Sequence, residues 1–467
     1  MLREDYTSNI IECSNADFIQ TYLRRSFLDD TLVDSIVEKL RGNSVLLENG
    51  WPDLRIGTEN ENDTFAPLSK VASAVANVAE SCGVQEKRSF WVVPTRTTPT
   101  KLKRASSTLW VIDTCLTCDV LAKIQKLSFA TSNGQPNKNA NNHIQPDEEN
   151  EGRSSHAAHN VSALGELRLR GATATAQDDE KKLIFAANEI MCDDPTRRFI
   201  FGFTIEAKTM QLWLFCRSHI AKCEKFNYHE EPRPFIKFLL AVMFGSRGQL
   251  DWDPTVTRLS KMVNGSDIVV YEYKIGCRRF HTAGNPISER SAYHLVSRAT
   301  RVWKVQEVTH AGPSDSTYVL TDVWPYKDAK LEREILDDIF EKLANVDEEN
   351  TKNGTPTTHA KDAKPFFLTI LEDVPVTNTE GENDVTVFPP NYQRVQWTDG
   401  RQLDASRRDS SLDGIRSSDL FVPDPYKLRS RRFQGRKHVR RLVKEVCESV
   451  YELSDMLQFV KCMGDVL

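Results

Sequence analysis

The side chains able to do chemistry in this chain fall into a few short stretches. Lys304 lies in the alternating run VWKVQEV, from Val302 to Val308, on the face opposite Trp303. A strand lysine turned away from a core can reach an anionic group, and otherwise is an ordinary surface lysine. Glu332 and Glu334 open a segment in which Leu331, Ile335, Ile339 and Leu343 fall four apart, so both carboxylates belong to a helix. Cys115 and Cys118 form a CxxC pair. Structural zinc takes four ligands, commonly from two such pairs, and with no second pair at suitable spacing no metal is expected. His219, His229 and His281 sit in no recognised nucleophile motif and read as packing or surface groups. Neither a GxxxxGK[ST] loop nor a GxGxxG turn occurs.

The elements that must position Lys304 and Glu332 run from Tyr293 to Leu336. YHLV, RVWKVQEV and STYVLTDVW read as strands, SRAT and AGPSDS as turns between them, and EREIL as the start of a helix. Two strands joined by a tight turn, a third strand and a helix packed on them make the front half of a protein-kinase small lobe. There, turn amides cover ATP phosphates, a third-strand lysine contacts them, and a helix glutamate holds that lysine.

The wording SRATRVWKV, YVLTDVW and EREIL resembles the fungal-type protein kinase family, whose members carry a GRGTRVW-like turn, a VLKDSW-like third strand and a helix with an inward glutamate. Arg197 to His219, Phe235 to Val256 and Lys437 to Val460 resemble the same family, in its order. The resemblance implies phosphoryl transfer from ATP, with magnesium, to protein hydroxyls. It assigns the phosphate turn to Arg298, Ala299 and Thr300, the third-strand position to Thr321, and the helix carboxylate to Glu332.

Departures from the family pattern bear on activity. Thr321 stands where the phosphate-binding lysine belongs, and a hydroxyl brings no charge. Ala299 replaces a glycine, and its Cβ hinders close approach of backbone to phosphate. Lys304, one strand away, is the candidate substitute cation. The sequence closes at Leu467 before any catalytic-loop Asp and Asn or metal-binding Asp of a kinase. The expectation is a small lobe without its large lobe, truncated and inactive as it stands, with ATP and magnesium possible only by kinship. The alternative is a non-enzymatic interaction or scaffold protein.

Composition narrows the class further. A length of 467 residues with 39% hydrophobic residues suffices for two or three cored domains, and a net charge of −5 marks neither a nucleic-acid protein nor an acidic tail. MLREDYTSNI lacks the apolar run of a secretory signal, and the longest apolar stretch, Phe238 to Phe244, is too short to cross a bilayer. An intracellular protein, cytoplasmic or nuclear and with no membrane attachment, is expected, its ten cysteines free thiols. Lys427 to Arg441 holds eight basic residues and no acidic one. It reads as a solvated approach to a strand in preference to a nucleic-acid or nuclear-import patch, because only Phe433 is interleaved for stacking. A protein partner is the favoured interaction. Asp113 and Glu166 resemble the spaced acids of a restriction-type nuclease, but Arg168 stands where such a site needs lysine.

The fold expected is α+β. Residues 1–130 are mainly helical, with helical spacing over Phe18 to Leu40 and Leu68 to Ser81, and short strands at Phe90 to Val93 and Leu109 to Ile112. Residues 131–160 are a polar linker. Residues 161–285 form an accessory α+β domain, with a helix over Glu180 to Cys192, a hairpin turning at Ala207 and Lys208, a helix from Phe235 to Met243, and a strand from Asp267 to Lys274. Residues 286–467 form the kinase-like lobe, an antiparallel sheet plus helix, interrupted by an exposed polar insertion at about 345–435 that contains one possible strand, Phe366 to Leu371. His438 to Val443 and Val446 to Tyr451 are its last strands, and a helix begins at Leu453.

Overall fold

The computed structural model describes residues 9–23, 28–54, 64–85, 89–92, 114–118, 160–169, 173–250, 252–263, 266–309, 312–395 and 433–447. The fold is α+β, built on two sheets.

The first sheet contains β1 (Ile10–Cys13), β2 (Ser89–Val92), β3 (Thr114–Cys118), β4 (Val161–Arg168), β5 (Phe199–Glu206), β6 (Thr209–Cys216), β7 (Ile220–Cys223), β8 (Phe226–Asn227) and β15 (Gln393–Arg394). Their order is β15-β1-β7-β6-β5-β4-β3-β2, with β8 on β6. β1 runs parallel to β7 and β4 parallel to β5, and the other pairings are antiparallel. Because the sheet is covered on both faces, β5 and β6 read as nearly unbroken apolar runs and not as alternations.

Phe201, Phe203, Leu212 and Leu214 face one core, shared with α1 (Asn15–Tyr22), α2 (Asp30–Gly42), α3 (Leu68–Ser81), α5 (Pro232–Phe244) and the short α6 (Arg247–Leu250). Ile200, Trp213 and Phe215 face the other, filled by Leu183, Ala187, Ile190 and Met191 of α4 (Thr173–Asp193). Phe238 of α5 meets Phe203 edge to face at 5.7 Å, and burying each such ring contributes roughly 1.5–3 kcal/mol. The N-terminal helices and the accessory sheet therefore share one core. Residues on both sides of the linker expected at 131–160 contribute to it.

The second sheet runs β14-β16-β13-β12-β11-β10-β9, antiparallel throughout. Its strands are β9 (Val256–Val263), β10 (Ser266–Ile275), β11 (Arg278–Thr282), β12 (Arg301–Thr309), β13 (Gly312–Val323), β14 (Ile370–Pro375) and β16 (Val439–Val443). One face carries a small core of Tyr273, Phe280, Trp303, Val305, Leu320 and Leu442.

Several expectations shift. Tyr293 to Val296 forms no strand: a short 3-10 turn, Arg290–Tyr293, leads into a loop. Leu295 turns into the α4 core, and its amide donates to Asn188 Oδ1 at 2.8 Å. The strand beside β12 is instead β11, well upstream. Phe366 to Leu371 gives way to β14, four residues later in its start, because Phe366 and Leu368 stay exposed. The helical stretch Phe18 to Leu40 divides into α1 and α2.

The insertion at 345–435 is not simply exposed. Its first part completes α7 (Glu332–Lys352), followed by α8 (His359–Ala363) and β14. Residues 376–395 then form a strap that returns to the first sheet, where β15 pairs with β1 and Val395 N donates to Ile10 O at 3.0 Å. Leu109 to Ile112, residues 131–159, Lys427 to Arg432 and residues from 448 onward lie outside the described residues. No helix among the described residues is long and apolar enough to cross a membrane.

Candidate functional site

Antiparallel register places Thr321 of β13 beside Val302 of β12 and Arg441 of β16. Side chains directly opposite share a face, so Thr321, Lys304, Val319, Arg441 and Asp373 all project from the side away from the Trp303 core. This is the face on which the resemblance places nucleotide.

Glu332 does meet a cation there, though not one from β13. Its Oε2 lies 3.1 Å from Arg441 Nη2, and Arg441 Nε lies 3.8 Å from Asp373 Oδ1. Asp373 Oδ2 accepts from Arg333 N at 3.0 Å, placing a carboxylate at the positive end of α7. Glu334 turns back to accept from Leu331 N at 2.7 Å, the reach of a capping residue, which separates its role from that of Glu332. Lys304 is exposed, one pair farther along the sheet, opposite Val319. The rest of α7 stands off the sheet: none of its residues is buried, and Ile335 is 42% exposed. Its apolar stripe is at most half-buried, and beyond the hooked first turn Phe340 meets Phe367 edge to face at 5.3 Å.

The phosphate turn is closed on itself. Ala299 N donates to Ser297 Oγ at 3.0 Å, and Thr300 N to Ser291 Oγ at 2.7 Å. Ser297 Oγ in turn donates toward Ser291 O and His294 O, and Arg298 O accepts from Trp324 N at 2.7 Å. Ala299 is buried with φ +44°, a left-handed conformation that glycine adopts freely and alanine only under strain. The two amides that would cradle an anion already have acceptors. The Arg298 side chain is exposed.

A family model described as fungal protein kinase matches residues 140–467. The chain belongs to that family. No curated protein and no solved structure matches it. Against what a fungal protein kinase needs to hold Mg-ATP, the residues present do not fit: the turn amides are taken, position 321 brings no charge, and Arg441 is engaged with Glu332 and Asp373. Among the described residues no group of three His, Cys, Asp or Glu side chains is arranged to hold a metal ion.

The opposite face of the same strand holds what sequence reasoning missed. Asp322, Asp253 and Asp384 meet His438, Arg440 and Arg198, all nearly buried. His438 Nε2 is 2.5 Å from Asp322 Oδ1, and its Nδ1 is 3.2 Å from Asp384 Oδ2. With a carboxylate on each nitrogen the ring carries both protons, and three positive groups balance three negative ones. Arg440 bonds Asp253 and Thr255, while Arg198 Nη1 reaches Asp384 Oδ1 at 2.9 Å. Burial alone would lower the His438 pKa, but Asp322, then Asp384 and Asp253, raise it to about 9. Burial would likewise raise Asp322, yet His438 and Arg440 hold it at about 2. Beside this cluster, Arg301 of β12 and Arg217 both donate to Met191 O at the negative end of α4, tying the second sheet to the first.

The basic run is therefore not a solvated approach in its described part. Arg440 and Arg436 are buried, Arg436 Nη1 donates to Trp324 O at 2.8 Å, and Lys437 Nζ donates to Ala329 O at 2.5 Å. Alternation along β16 sends Arg440 inward and Arg441 outward, and a count of charges could not reveal that. His281 bonds Glu272 at 2.8 Å, and His229 Nδ1 accepts from Trp51 N at 3.2 Å, both as packing groups. Arg168 is bound to Asp179 at 2.7 Å, and Asp113 lies outside the described residues. The CxxC pair lies on β3.

Proposed function

We propose that this chain is a protein kinase homologue that does not itself transfer phosphoryl groups, its small lobe serving as a folded framework without a working grip on ATP. The observation that carries this reading is the pair of hydrogen bonds from Ala299 N and Thr300 N to serine hydroxyls. An anion can bind there only by displacing acceptors already in place. Thr321 removes the charge that would offset that cost, and the cation beside it, Arg441, is engaged with Glu332 and Asp373.

A thermal-shift titration with Mg-ATP tests it. A ligand bound to the native state at a hundredfold excess over its Kd stabilises by about 2.7 kcal/mol, so millimolar nucleotide should move Tm by several degrees if the site works. No shift is expected for the natural sequence, and a gain is expected for Ser297→Gly combined with Thr321→Lys. A clear shift in the natural sequence, or γ-phosphate transfer to a protein, overturns the reading.

A second reading, an intracellular interaction protein, draws on the uncovered apolar side of α7 and its neighbours. Ile335, Val346, Phe366 and Leu368 are exposed together with Phe367. Co-purification of a protein partner that Ile335→Glu abolishes would favour this role.

A further inference from the structure

Apart from the kinase-like face, a cavity of about 790 Å³ opens beneath the strap, where the first sheet approaches Trp324. Tyr22, Arg198, Leu214, Cys216, Trp324 and Asp384 are among its lining residues. Cys216 ends β6, and Arg217, Ser218 and His219 form the tight connection to β7, closed by Cys216 N donating to His219 O at 3.1 Å.

That closure brings His219 Nδ1 to 3.4 Å from Cys216 Sγ and 2.7 Å from Ser218 Oγ. His219 Nε2 lies 2.8 Å from the Tyr22 hydroxyl, which itself reaches Val387 O at 3.4 Å. Phe388 stacks on the imidazole at 4.2 Å and fixes its plane. Every donor in this chain finds an acceptor when the ring carries both protons. Nδ1–H then faces sulfur and Ser218, Nε2–H faces the Tyr22 oxygen, and the Tyr22 proton faces Val387 O. As a thiol Cys216 donates to His219 O at 3.2 Å; once that proton passes to the ring, the sulfur is the anion held against Nδ1–H.

Two further observations point the same way. Arg198 lines the cavity with its side chain 8% exposed, and its Nε has no hydrogen-bond partner. Burial would push the Cys216 thiol up, but the charge and hydrogen bond of His219, then Ser218, bring it down to about 7. Cys13, without such a neighbour, is pushed up to about 12, chiefly by burial, and Cys223 is raised by burial as well.

We propose that Cys216 and His219 form a thiolate–imidazolium pair, and that Cys216 is the site at which small neutral electrophiles entering this cavity, hydroperoxides in particular, modify the protein. The sulfur attacks the nearer peroxide oxygen; an S–O bond forms as the O–O bond breaks. Sulfur is oxidised by two electrons to a sulfenic acid, and the departing oxygen takes the proton from His219 Nδ1, leaving as water or alcohol. The ring ends neutral.

The test uses the full chain, pulse-labelled with iodoacetamide across pH 5.5 to 9 and read site by site by mass spectrometry. Cys277 and Cys447 are exposed and serve as internal references. The expected result is a Cys216 midpoint at least one pH unit below theirs, with Cys13 and Cys223 unlabelled at pH 7. Hydrogen peroxide followed by dimedone should place the adduct on Cys216, and His219→Asn should move the midpoint up to the reference range. Labelling of Cys216 only after denaturation, or a midpoint matching Cys277, overturns the proposal. Should the His219 variant fail to fold, the comparison of Cys216 with Cys277 within the natural protein decides alone.

Discussion

Thr321 and Asp322 are neighbours on one strand and live in different physical worlds. Thr321 faces the more open side of the sheet, where Arg441 and Glu332, 19% and 49% exposed at the side chain, form a loose bridge and only Asp373 beneath them is covered. Asp322 faces the seam between the sheets, where each charge is enclosed and must be matched. Family resemblance draws attention to the first position, but the energetics concentrate at the second. An exposed ion pair contributes little because water and side-chain entropy compete with it, whereas a buried charge that loses its partner has nowhere to go.

The widest test of that contrast is a pair of substitutions. Asp322→Asn should cost about 3–5 kcal/mol in urea unfolding, because His438 and Arg440 keep buried charge without its counterion. Thr321→Lys should stay within about 0.5 kcal/mol. Equal costs would erase the distinction between the faces.

A pH series follows from the same cluster. The folded His438 pKa, about 9, lies above its unfolded value of about 6.5, so its contribution is whole below pH 6.5 and is lost as pH rises toward 9. Asp322, held at about 2 in the fold, contributes above pH 4 and loses that contribution as pH falls toward 2. Unfolding free energies from urea titrations at pH 6 and pH 9.5 should differ by on the order of 3 kcal/mol, and His438→Gln should flatten the alkaline limb. A flat natural profile between pH 6 and 9.5 would mean that the ring is neutral.

On the open side the expected effects are smaller. Ser297→Ala removes the acceptor of Ala299 N and should cost about 1–2 kcal/mol. A double-mutant cycle on Arg441→Ala and Glu332→Gln should give a coupling of about 0.2–1 kcal/mol, vanishing in high salt. A coupling above 2 kcal/mol would show that this side is sealed like the other.

What could be read from the sequence follows the same division. β10, β12 and β13 announce themselves by alternation because one face is wetter than the other, and α3 shows its buried stripe over Leu68 to Ser81. Tyr293 to Val296 shows the same short alternation, but a single buried Leu295 pulls it to α4, and four residues carry too little pattern to tell an anchor from a strand. The seam cluster left no local trace. Its members stand at 198, 253, 322, 384, 438 and 440, brought together only by the crossing of two sheets. Cys216 and His219 lie three apart in sequence, yet their pairing depends on a reversal between β6 and β7 that no spacing rule encodes.

The strap has a consequence for how this molecule is made. Phe388, Asp384, Gln393 and Arg394 complete the ring stack, the charge balance and the edge of a sheet whose other strands are all synthesised earlier. A nascent chain that has emerged only through β8 must wait with an unsealed border until the second sheet is nearly finished. Halves expressed as separate pieces should therefore recover solubility only when mixed.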